Sequence, residues 1–111
     1  MAWFRRKKKQ NNDTLDRASD NDDVKHLIEF TRSRTGVEAF IEPRTTVTET
    51  TVMLIAHDGE WTRRRVDGVE GAFKFGQKHE VPVYEIAKVG YPQRKRDYDK
   101  RRKIMRQRGE I

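Results

Sequence analysis

The chain reads as an α+β protein: a single small domain of order α-β-β-β-α-β, with a mainly antiparallel sheet and two helices on one of its faces, flanked by basic arms. Three observations predict this. The apolar residues are concentrated between Val24 and Tyr91, although only 33% of the 111 residues are hydrophobic and 39% are charged. Helical and strand periods of hydrophobicity alternate along that middle. Within it, Asp58-Gly59 separates two runs of strand-forming residues, a turn that matches strand twist.

The elements follow in order. Asp20 or Asp22 offers an N-cap, with acids in the first turn where the helix dipole favours them. Val24, Leu27 and Ile28 have helical spacing, and Gly36 is placed to stop that helix. In "VEAFIEP", Val37, Ala39 and Ile41 share one face of a strand. "TVTETTVMLIA" predicts a second strand, rich in β-branched residues. A two-residue Asp58-Gly59 turn pairs it with "EWTRRRV", so that Ala56 faces Trp61, Leu54 faces Arg63 and Val52 faces Arg65. This register puts Trp61 in the core beside Ala56 and Leu54.

Val69, Ala72, Phe73 and Gly76 then have the spacing of a second amphipathic helix, weakened by Gly71 and Gly76 and ended by Pro82. "VYEIAKV" predicts a fourth strand, and "GYP" leaves the domain. Three segments result: a disordered basic and acidic arm over 1–21, a globular domain over 22–91, and a basic, helical arm over 92–111.

Charge is segregated. The middle, 24–91, carries as many acids as bases, and the net charge of +7 lies on the ends. The N-terminal "AWFRRKKK" sets Trp3 and Phe4 beside Arg5, Arg6, Lys7, Lys8 and Lys9. Rings that stack on unpaired bases next to cations that hold phosphate suit RNA. The same residues would also allow weak, reversible contact with an anionic membrane. The C-terminal "YPQRKRDYDKRRKIMRQR" holds nine Lys or Arg against two Asp, an imbalance that a merely solvated helix does not need. Its candidate contacts are Arg94, Lys95, Arg96, Tyr98, Lys100, Arg101, Arg102 and Lys103. Arg63 and Arg65 point to the same face of their strand and add two more, unless they only guard an edge.

Other chemistries lack residues. With no cysteine there is no disulfide, thiolate nucleophile or cysteine metal site, and His26, His57 and His79 have no ligand spacing. Glycine-rich phosphate, dinucleotide and nucleophile-elbow motifs are missing, so no cofactor, metal or enzymatic activity is expected. No apolar run reaches the roughly 20 residues of a membrane span, and no apolar segment follows the first charges as in a signal peptide. A cytoplasmic location is expected.

The α-β-β-β-α order over Asp22 to Glu80 resembles the double-stranded-RNA-binding domain. It departs from that family where "DGVEGAFKFGQK" opens the second helix without a basic cluster, so no binding residue is carried over. The blocks "AWFRRKKK", "VEAFIEPRTTVTETTVMLIAHDGEWTRRRV", "VPVY" and "VGYPQRKRDY" resemble a family of small, basic, uncharacterised actinobacterial proteins. Some members carry an oxidoreductase label, for which this sequence offers neither a cofactor fingerprint nor a redox cysteine.

The sequence therefore predicts a non-enzymatic nucleic-acid-binding protein whose basic arms contact structured or ribosomal RNA. The alternative is a protein–protein adaptor using the neutral sheet, or a module peripheral to anionic membranes, with arms that only solubilise it.

Overall fold

The structure, a computed structural model, describes residues 21–111. The expectations for residues 1–20 lie outside that range. The first helix, α1 (Asn21–Ser33), carries Asp22 and Asp23 in its first turn and Arg32 in its last, matching the helix dipole at both ends. It buries Leu27 and Phe30. Strands β1 (Glu38–Glu42), β2 (Thr51–Ile55) and β3 (Trp61–Arg65) form an antiparallel meander, and α2 (Gly68–His79) follows. Then β4 (Val83–Glu85) pairs parallel to β1, giving the sheet order β3-β2-β1-β4. The chain continues through one helical turn, α3 (Ile86–Val89), into α4 (Gln93–Gln107).

The expected α-β-β-β-α-β order stands, and the main core lies between the two helices and one face of the sheet. Ala39, Ile41, Val52 and Leu54 point into it from the strands, and Leu27, Phe30 and Ala72 from the helices. The opposite face is covered too. There Phe40, Met53 and Ile55 are buried, with Trp61 and Ile86 packed against them. This second layer explains why β1 and β2 are buried at successive positions rather than at alternate ones.

Four local expectations are corrected. The first concerns the hairpin, whose loop has three residues rather than two. Ala56 N–H donates to Glu60 O at 2.8 Å, and Gly59 N–H donates to Ala56 O at 3.0 Å. Gly59 has φ +96°, the left-handed residue that closes a loop of this length. The extra residue slips the register by one, so Ile55 faces Trp61, Met53 faces Arg63 and Thr51 faces Arg65. Since side chains alternate, that slip moves Trp61, Arg63 and Arg65 to the other face. Trp61 is half-buried beside Ile55, not in the core beside Ala56 and Leu54.

The second concerns the start of β2, which is Thr51, five residues later than the threonine run suggests. Thr45 Oγ1 accepts from the N–H groups of Val47 and Thr48 at 3.2 and 3.0 Å. A hydroxyl folded back onto the backbone in this way favours a turn over a strand.

The third concerns β4, which stops at Glu85 because its partner β1 ends before Pro43, which has no N–H. Ile86 then turns over the second face as part of α3.

The fourth concerns α2, where Val69 and Phe73 are exposed while Ala72 and Gly76 are buried and Phe75 packs on the core. The helix lies so close to β4 that a Cβ on Gly76 would sit 2.2 Å from Val83 Cγ2. Small residues therefore take the inner stripe, and the bulky ones flank it.

Candidate nucleic-acid interface

The second face of the sheet presents Glu38, Phe40 and Glu42 from β1 and Trp61, Arg63 and Arg65 from β3, and α4 is laid across its hairpin end. Pro92 opens the helix, its carbonyl accepting from Lys95 N–H at 3.1 Å. The first half of α4 is held by named contacts. Arg94 donates through Nε to Ala56 O at 3.0 Å and through its terminal nitrogen to Glu38. Asp99 Oδ1 accepts from the Trp61 indole at 2.7 Å, and its other oxygen pairs with Lys95 at 2.7 Å. The Lys95 ammonium lies 4.9 Å from the Trp61 ring centre and 5.3 Å from that of Tyr91. Arg101 reaches Asp58 O at 3.1 Å. Gly59 lets the two backbones meet, since a Cβ there would fall 2.1 Å from Arg94 O.

The electrostatics of the anchor are settled inside the fold. Burial raises the Asp99 pKa, but the hydrogen bonds from Lys95 and Trp61 outweigh it, and the group titrates below the usual carboxylate range. Glu42 follows the same pattern. Burial pushes it up, while bonds from Arg63, Tyr91 and Thr51 bring it lower overall. Its two oxygens receive Arg63 at 2.7 and 2.9 Å, Tyr91 at 2.5 Å and Thr51 at 2.8 Å. This hub ties three strands to the segment that launches α4.

The cations predicted from sequence differ in what surrounds them. Arg63 and Arg94 have carboxylate partners in the domain, Glu42 and Glu38, and Lys95 pairs with Asp99 one turn along α4, the residue that also holds the Trp61 indole. Arg96, Lys100 and Lys103 are exposed and make no ion pair among the described residues. They stand at i, i+4 and i+7, on the helix face turned away from the anchoring residues. Arg65 is exposed on the second face. Tyr98 is half-buried over Gly59, with Arg101 and Arg102 guanidinium carbons 5.7 and 5.9 Å from its ring centre. Trp3, Phe4 and Arg5 to Lys9 lie outside the described residues.

Between α4 and the start of β3 runs an open cleft of about 350 Å³, lined by Trp61, Tyr98, Asp99, Arg102 and Arg106. Trp61 and Arg106 were not among the sequence candidates. The i, i+4, i+8 spacing of Tyr98, Arg102 and Arg106 is visible in the sequence. The juxtaposition with Trp61 is not, because it depends on the hairpin register.

Comparison with protein-family models, with curated proteins and with solved structures returned no match for this chain. Among the described residues no helix is long and apolar enough to cross a membrane.

Proposed function

We propose that the protein binds structured RNA, with α4 as the binding element and the domain as the platform that holds it. One observation carries this reading: Arg94 and Lys95, which anchor the helix, are paired with carboxylates, while Arg96, Lys100 and Lys103 make no ion pair among the described residues and share one outward stripe. A helix serving only solubility would not need cations segregated in that way. At 1.5 Å of rise per residue the three charges span about 10 Å along the axis, enough to follow a phosphate backbone. The α-β-β-β-α order shared with the double-stranded-RNA-binding domain is compatible with such a partner, and the tail's tyrosine favours RNA over DNA. In this reading Arg63, Arg94, Lys95 and Arg101 position the helix, while Arg65, Lys100 and Lys103 reach phosphate together with Arg96.

The test is fluorescence anisotropy of a labelled RNA hairpin, with the full chain and its Arg96→Gln/Lys100→Gln/Lys103→Gln variant. Salt is varied from about 50 to about 200 mM. The wild type should bind with affinity falling linearly in log salt, and the variant's slope should be shallower by about 2 to 3. An equal slope in the two proteins would remove α4 as the binding element.

A further inference from the structure

The cleft beside Trp61 is separate from the outward stripe and has a different chemistry. Two aromatic rings, Trp61 and Tyr98, and two guanidinium groups, Arg102 and Arg106, line one opening. Its volume of about 350 Å³ is at the lower end of small-molecule sites. The indole is fixed by its hydrogen bond to Asp99, so this wall is built before any ligand arrives. Arg102 and Arg106 are exposed and one helical turn apart, and neither has an ion-pair partner at bonding distance among the described residues.

We infer that this cleft takes one unpaired nucleotide of the bound RNA, its base against the Trp61 and Tyr98 wall and its phosphate on Arg102 and Arg106. The inference rests on the RNA-binding reading above and adds a preference to it. Aromatic faces accept any base, while guanidinium forks hold phosphate in two-point geometry. Duplex ends with a single-stranded extension are therefore favoured over blunt ones, without base preference. Asp99 does not oppose the phosphate, because its charge is engaged by Lys95 and Trp61.

The experiment compares a blunt RNA duplex with the same duplex carrying a short 3′ overhang. The proteins are Trp3→Phe, which leaves Trp61 as the single indole, and Trp3→Phe with Arg102→Gln and Arg106→Gln. The overhang should tighten binding about ten-fold and quench Trp61 emission. The double arginine substitution, at exposed sites, should abolish that preference and leave blunt-duplex binding within about three-fold. AMP at the same concentration should leave Trp61 emission unchanged. Blunt and overhang duplexes bound equally would overturn the inference while the RNA-binding reading stands, as would a preference that survives the arginine substitutions. Quenching by AMP as strong as by the overhang would reassign the cleft to a free nucleotide and also overturn it. No binding of either duplex would overturn both readings.

Discussion

Replacing Gly59 with alanine tests the geometry on which the interface depends. Two separable effects are expected. Gly59 has φ +96°, a region where an L side chain costs about 1–2 kcal/mol, part of which alanine recovers by stiffening the unfolded chain. The new Cβ would also lie 2.1 Å from Arg94 O and 2.8 Å from Tyr98 Cβ, where ordinary carbon contacts need about 3.5 Å. Helix α4 must then retreat by roughly 1 Å or more. That retreat stretches the Trp61–Asp99 bond at 2.7 Å and the Arg94–Ala56 bond at 3.0 Å. Two such bonds contribute about 2 kcal/mol.

Gly59→Ala should therefore lose about 2–4 kcal/mol in all. Gly68→Ala is the control, because Gly68 also has positive φ, +72°, but nothing lies within 4 Å of its added Cβ. It should lose only the conformational part, about 1 kcal/mol. Urea unfolding followed by far-UV circular dichroism gives the two losses. Trp61 emission in a Trp3→Phe background reports separately whether α4 has left the hairpin. Equal losses in the two variants with unchanged Trp61 emission would refute the close approach of α4 to the turn.

Two further predictions concern the platform. Glu42→Gln should lower stability at neutral pH by about 1.5–3 kcal/mol, since a charged acceptor at the hub is replaced by a neutral one. Because Glu42 titrates below its unfolded value, its contribution is complete above that value and disappears as pH falls through the folded one. Thermal melts on acidification should thus decline less steeply in the variant than in the wild type. Gly76→Ala should gain about 1 kcal/mol of helix propensity yet destabilise overall. Its Cβ would meet Val83 Cγ2 at 2.2 Å and Val81 O at 2.7 Å, an overpacking of about 1–3 kcal/mol. A rise in the urea midpoint would contradict the contact between α2 and β4.

The charge segregation that motivates the RNA reading is wholly in the sequence, because counting residues along the chain needs no fold. Which cations are available is not. Arg94 and Arg96 look alike in the tail, yet one is paired with Glu38, 56 residues earlier in the chain, and the other faces solvent. Trp61 shows the same limit at closer range. Its strand was legible, but its face depended on whether the turn held two residues or three, and "HDGE" serves both.

By itself the sequence determined the element order, the apolar middle and the basic tail, because composition and local periodicity act within a few residues. Gly36 and Gly59 could likewise be placed at turns from their freedom in the left-handed region. The tertiary structure decided the second layer over Phe40, Met53 and Ile55, the anchoring of α4 on Trp61 and Glu38, and the cleft that results. Those features join residues tens of positions apart, and a one-residue slip in a turn is enough to move every side chain of a strand from one face to the other.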